Sequence, residues 1–280
     1  MQTWFITGTS SGFGRGLTER LLARGDRVAA AVRRLESMDE LRETAGDRLR
    51  VYALDVTDGA RVDSVVDQAF ADFGRIDVVV NNAGYGLFGA IEEASRDQIA
   101  QVIATNLTAS IDVARAALPR LRAQGGGRIM QVSSAGGQTA YPGFGIYHAA
   151  KWGIEGFCEA LAAEVAPFGI AVTIVEPGMT PTGFSAAKDM TQATPAYSQG
   201  QFGAGRALMA AGELAGPNDA AKIVSAMIDL VDSGRTPLRL PLGVDTYRDV
   251  HAAYTRRMHE LEASKDLAES VAATGAGTAP

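Results

Sequence analysis

A single cysteine, Cys158, stands among 280 residues, so no disulfide can form within the chain. Histidine is nearly as scarce: His148, His251 and His259 lie far apart, and with one thiol they make a poor ligand set, so no metal is expected. Basic residues do not predominate. The 26 Lys+Arg against 32 Asp+Glu leave a net charge of -6, which argues against a nucleic-acid surface. No apolar run approaches the roughly 20 residues of a membrane span. The opening MQTWFITG has no basic segment followed by a long apolar run, so a soluble cytoplasmic protein with no membrane partner is the default expectation. Proline is modest at 10 and no repeat stands out.

At 46% hydrophobic content the chain can bury a full core. The spacing predicts one α/β domain over residues 1–270. The Gly/Ala/Thr-rich tail 271–280 is expected to be disordered.

Glycine is plentiful, and its placement is informative. Residues 3–7 read as a buried strand, followed at once by Gly8, Thr9, Ser10, Ser11, Gly12, Phe13 and Gly14. Leu17, Leu21 and Leu22 then fall at helical spacing, and Gly25 is a natural stop. Glycines at a strand-to-helix turn let backbone approach a pyrophosphate, and the helix end offers free N–H groups and a positive dipole. Residues 28–32 form the second strand, ending in Arg33-Arg34. An arginine at this point accommodates a 2'-phosphate, whereas an acid bonds a ribose 2'-hydroxyl. Arg33, with Ser11 as a helper, favours NADP(H); Glu36 lies close enough to keep NAD(H) open.

The third strand, 51–54, closes at Asp55-Val56. Asp55 is either an acceptor for an adenine amino group or a helix-entry residue. A helix from Thr57-Asp58 to about Phe73 leads to a fourth strand, 77–80, which ends in Asn81, Asn82, Ala83 and Gly84. Such small, amide-rich strand ends suit a ligand crevice. A helical pattern then runs from about Ser95 to Arg122 with Asn106 near its middle. Asparagine is a poor helix-interior residue, so either the helix is distorted there or Asn106 lies on the surface. Strand and helix alternate five times, which specifies a doubly wound, Rossmann-type parallel sheet.

The stretch from Ile129 to Gly153 carries the chemistry. A buried strand pattern breaks at Ser133-Ser134, crosses a Gly/Pro-rich loop, and enters a helix with Tyr147 and Lys151. Four residues is about one turn, so phenol and ammonium share a face. An ammonium beside a phenol lowers its pKa from about 10 toward a working pH. Ser134 could hold a substrate oxygen beside that phenol. The ordinary reading is a commonplace Tyr/Lys pair at helical spacing.

Taken together, these motifs resemble the short-chain dehydrogenase/reductase (SDR) family over about residues 3–245. Residues 7–14 match TGxxxGxG, residues 81–84 match NNAG, and Pro177-Gly178 with Thr182 match PGxxxT. Asn106, Ser134, Tyr147 and Lys151 match the family's catalytic tetrad. The resemblance implies that Tyr147 is the general acid/base, that Lys151 tunes it and binds the nicotinamide ribose, and that Ser134 positions the substrate oxygen. Asn106 would hold a water linked to Lys151. It implies a coenzyme bound by Gly8, Ser10, Ser11, Gly12, Phe13, Gly14, Arg33, Asp55, Val56, Asn82, Ala83, Gly84, Tyr147, Lys151, Pro177, Gly178, Thr180 and Thr182. A homodimer or homotetramer through the Tyr147 and Asn106 helices is implied too, although close packing within one subunit would give the same small-residue composition.

Residues 179–216, after the sixth strand, have weak periodicity and are expected to form a substrate lid. Phe184, Met190, Tyr197, Phe202 and Met209, with Tyr85, Leu87, Phe88, Tyr141 and Phe144 opposite, either line a pocket for an uncharged substrate or pack the lid down. Lys188 and Arg206 are too few to argue for an anionic one. The expected activity interconverts an apolar ketone or aldehyde and its alcohol. The alternative is a silent dinucleotide-binding sensor or scaffold. An epimerase or dehydratase on the related extended fold would want a longer C-terminal substrate domain than the chain left after residue 245.

Overall fold

The strands β1 Thr3–Thr7, β2 Arg27–Val32, β3 Leu49–Ala53 and β4 Val78–Asn81 form one half of a seven-stranded sheet; β6 Gly127–Val132, β7 Ile170–Pro177 and β9 Arg239–Leu242 form the other. The order is β3-β2-β1-β4-β6-β7-β9, all parallel. The computed structural model describes residues 1–182, 189–212 and 216–273. The expectations for Phe184, Lys188 and residues 274–280 fall outside them.

The strands are apolar almost throughout because both faces are covered. Successive side chains of β1 divide between them: Trp4 and Ile6 face one layer and Phe5 the other. The first layer holds α1, Gly12–Ala23, and α8, Ala220–Asp232; the second holds α3, Gly59–Phe73, α5, Ala109–Ala123, and α6, Gly145–Val165. The short α2, Asp39–Ala45, precedes β3. Strand order reverses between β1 and β4, and a ligand crevice is expected at the carboxyl ends of strands where this happens.

Three elements differ from the spacing. The long helix around Asn106 is interrupted: α4, Arg96–Ile103, passes into a π-turn at Ala104–Thr108 before α5. The described residues of the segment expected to form a lid are more ordered than its weak periodicity implies. They contain β8, Asp189–Met190, paired with β5, Leu87–Phe88, and a helix, α7, Gly200–Ala211. The C-terminal helix breaks into α9, Val244–Ala263, and α10, Lys265–Ser270. Among the described residues, no helix is long and apolar enough to cross a membrane and no group of His, Cys, Asp or Glu could hold a metal.

Candidate active site

The β1–α1 turn and the end of β4 are stapled by Thr7, whose hydroxyl accepts from the N–H groups of Asn82 and Ala83, each at 3.0 Å. In return Asn82 Nδ2 donates to Thr7 O at 2.9 Å and Gly8 O at 3.1 Å. No side chain fits between them. A Cβ on Gly14 would lie 2.4 Å from Gly8 O and 2.6 Å from Asn82 Nδ2, and Gly8 adopts φ +70. Ser11 caps α1 without a side-chain hydrogen bond, and the first turn carries no acid, so its N–H groups are open to an anion. Gly12, at φ +57, faces Thr182 across the groove, with Thr182 Cβ 3.6 Å from where its own Cβ would lie. This cradle fits a pyrophosphate.

At the other end, Arg33, Arg34 and Glu36 are exposed. Among the described residues the Arg33 guanidinium makes no hydrogen bond. It faces Asp55, whose carboxyl is held below its ordinary value by the Thr57 N–H and hydroxyl, at 3.0 and 2.7 Å, with Arg33 adding to the effect. Asp55 therefore orders the turn before α3 through Oδ1, while Asp58 caps the helix by accepting from Arg61 N at 3.0 Å.

Ser134, Tyr147 and Lys151 come together where β6 ends. Ser134 stands beside the Tyr147 phenol and favours its ionised form. Lys151 Nζ lies 5.7 Å from the centroid of the Tyr147 ring and donates to Val132 O at 2.9 Å. The spacing predicts a lowered phenol, and the structure raises it instead. Burial pushes Tyr147 up to about 12, with Ser134 opposing, and pulls Lys151 down to about 8, with Glu155 opposing. In a water-poor site the cost of charge outweighs the pull of a nearby ammonium.

Asn106 is 1% exposed, which removes the surface reading. Its amide is taken at both ends by Tyr85: Oδ1 accepts from Tyr85 N at 3.0 Å and Nδ2 donates to Tyr85 O at 2.8 Å. The backbone of the π-turn, where the i→i+4 ladder is interrupted, offers further groups to a water linked to Lys151. Gly84 lies against this group, since a Cβ there would come within 2.5 Å of Asn106 Oδ1.

Some supporting residues were not legible as such. His148 is a buried brace: Nδ1 bonds Gly136 O and Nε2 accepts from Tyr141 N, both at 2.8 Å, which fixes a neutral ring with the proton on Nδ1. Asp245, at the start of α9, accepts from Met179 N and Asn218 Nδ2, both at 2.7 Å, and so holds the loop of Pro177, Gly178 and Thr180. Glu93 pins the lid. It accepts from Thr194 N at 2.7 Å, Thr194 Oγ1 at 3.0 Å, Thr191 Oγ1 at 2.9 Å, Ala90 N at 3.1 Å, and the Arg206 guanidinium.

Arg206 also lies near the rings of Phe88 and Phe202, which stack at 5.6 Å. Phe144 and Tyr197 extend that cluster, so these aromatics pack the lid onto the body. Leu87 and Tyr141 instead line a cavity of about 200 Å³ beside Ile146, together with Ala90, Ile91 and Thr191. The cavity adjoins the Tyr147 turn and is mostly apolar.

Residues 2–193 match the model of the short chain dehydrogenase family. The oxidoreductase BOA17 of Botryotinia fuckeliana is 37% identical over 243 residues, covering 86% of this chain and 89% of that protein. A 3-ketodihydrosphingosine reductase of Bacteroides thetaiotaomicron is 37% identical over 193 residues, 69% of each chain. Among solved structures, a short-chain dehydrogenase from Streptomyces avermitilis is similar at a TM-score of 0.89 and 37% identity, covering 97% of this chain and 100% of that one.

Proposed function

This chain belongs to the short-chain dehydrogenase/reductase family, an NAD(P)-dependent oxidoreductase acting on a CH–OH/C=O pair, and we propose that it interconverts an apolar, uncharged ketone or aldehyde and its alcohol with NADP(H). The observation that carries the reading is the convergence of Ser134, Tyr147 and Lys151 beside a mostly apolar cavity. Hydride transfer is the chemistry that a bound nicotinamide supplies. Tyr147, kept protonated by burial, gives its proton to the carbonyl oxygen during reduction. Ser134 orients that oxygen, and Lys151 carries the positive charge that steadies the phenolate left behind. The name of the Bacteroides relative points to a ketone substrate for that protein, which accords with the same class here.

For the coenzyme, Gly8, Ser10, Ser11, Gly12, Phe13 and Gly14 take the pyrophosphate, Arg33 the 2'-phosphate, and Asp55 and Val56 the adenine edge. Asn82, Ala83, Gly84, Tyr147 and Lys151 line the ribose side; Pro177, Gly178, Thr180 and Thr182 flank the nicotinamide amide. Arg33→Asp should weaken NADPH about 10- to 100-fold relative to NADH, the loss of a charge-assisted bond of about 1.5–3 kcal/mol. An unchanged preference in a competitive binding assay would refute this placement.

The subunit is proposed to be cytoplasmic and to assemble as a homodimer or homotetramer through α6 and the helix carrying Asn106. Gly153 is consumed within the subunit, where Leu107 would lie 3.1 Å from its Cβ, while nothing lies within 4 Å at Gly156. Light scattering tests the assembly. Turnover of a panel of apolar ketones and aldehydes with NADPH tests the activity; tight coenzyme binding without turnover of any of them would favour a silent binding protein.

A further inference from the structure

One helical turn beyond Lys151, α6 carries Glu155, and β7 carries Glu176 immediately before Pro177. Both side chains are enclosed, at 3% and 2% exposure. Glu155 Oε1 accepts from the Ser133 hydroxyl at 2.7 Å, and Ser133 adjoins Ser134. The two carboxyls are brought together at one guanidinium. Arg239 of β9 lies 3.4 Å from Glu155 Oε2 and 3.1 Å from Glu176 Oε1, and also bonds Glu159. Its contact with Glu176 is off the N–H axis, an ion contact without a hydrogen bond among the described residues. The space is shaped around these oxygens. A Cβ on Gly137 would come within 2.1 Å of Glu155 Oε1 and 2.6 Å of Ser133 Oγ.

Three carboxyls thus face a single guanidinium. With Glu159 already on that guanidinium, two more carboxylates enclosed beside it repel each other, and one proton held between them relieves the cost of ionising both. We propose that Glu155 and Glu176 share one proton and act as positioning residues for the active site, with the negative charge resting on Glu155 to hold the Lys151 ammonium and with Ser133 tying the pair to the strand end that carries Ser134. This rests on the reading of Tyr147 and Lys151 given above. Burial raises both carboxyls, and the neighbouring glutamate raises Glu176 further. The groups facing the pair are Lys151, Cys158 and Glu159 on α6, Arg239 on β9, Ser133 on β6's end and Tyr254 on α9.

The consequence has a sign. Glu155→Gln removes a negative charge beside Lys151, so the ammonium loses its proton more readily. The basic limb of the kcat/KM profile for carbonyl reduction should move down by about one pH unit. Glu176→Gln mimics the protonated partner and should leave that limb in place. For stability, a carboxyl raised by folding contributes fully below the ordinary carboxylate range and loses that contribution as pH rises through its folded value. Glu176→Gln should therefore flatten the fall of Tm toward alkaline pH.

The experiment pairs these profiles with isotope-edited infrared spectroscopy of wild-type protein carrying labelled glutamate. A protonated carboxyl band at neutral pH, lost in Glu176→Gln, is the expected result. No such band, or a Glu155→Gln limb coincident with that of the wild type in a folded enzyme, overturns the proposal. The wild-type band decides the shared proton even where a variant fails to fold. Absence of turnover with every carbonyl would remove the proposed function while the band still reports on the pair.

Discussion

Tyr147→Phe should lower kcat by roughly 10²- to 10⁴-fold, the range that a positioned general acid contributes, while leaving coenzyme affinity nearly intact. The phenol is enclosed at 9% exposure, and its ring packs edge-on against Phe144 and His148 at 6.1 and 5.9 Å. Phenylalanine keeps those ring contacts and removes only the oxygen that Ser134 faces. Lys151 keeps its bond to Val132 O, so the cradle is undisturbed. Steady-state reduction and NADPH titration of the same preparation separate the two effects. A variant that turns over as fast as the wild type would remove Tyr147 from the chemistry.

Glu93→Ala should destabilise the protein by about 3–5 kcal/mol, because deleting one partner of a buried ion pair leaves the other charged and unsatisfied. The pair is enclosed, with Glu93 at 0% and Arg206 at 10% side-chain exposure. Arg206 would keep Thr191 O at 3.0 Å as its strongest remaining acceptor. The damage should centre on the lid: faster amide exchange across Gly200–Ala211 and a higher KM for the carbonyl, with coenzyme affinity preserved. Burial raises Glu93, but the bonds from Thr194, Ala90 and Thr191 outweigh it and hold the carboxyl down at about 2. A carboxyl lowered by folding contributes its stability above the ordinary carboxylate range and loses it as pH falls through the folded value. Lid anchoring should therefore be independent of pH from neutrality down to about pH 4 in the wild type. Unchanged exchange across α7 in the variant would show that the lid is held by its aromatic cluster alone.

The sheet and its crevice were legible because their signals are local. A parallel strand covered on both faces must be apolar throughout, as in the residues of β1 and β4, and a turn against a phosphate must be glycine, as at Gly8 and Gly14. Asn106 announced a helix irregularity through its poor helix propensity, and the π-turn is found there. What stayed hidden depends on partners distant in the chain. Glu93 sits in an acidic pair that reads as a solvated face, and only residues 191–206 bury it. The helix α7 contains three glycines, which weaken its pattern; docking onto Phe88 compensates. The raised phenol at Tyr147 was missed for a related reason: spacing reports which groups share a helix face, not how much water the fold leaves around them.

The most direct test of the proposal that the groove takes a 2'-phosphorylated dinucleotide is titration of the purified protein with NADPH and NADH separately, following the fluorescence of the reduced nicotinamide. The account predicts saturable binding of both, with NADPH markedly tighter. Equal or tighter NADH would transfer the adenosine end to Glu36 and contradict the role of Arg33, and failure to bind either would contradict the cradle on which the catalytic assignment stands.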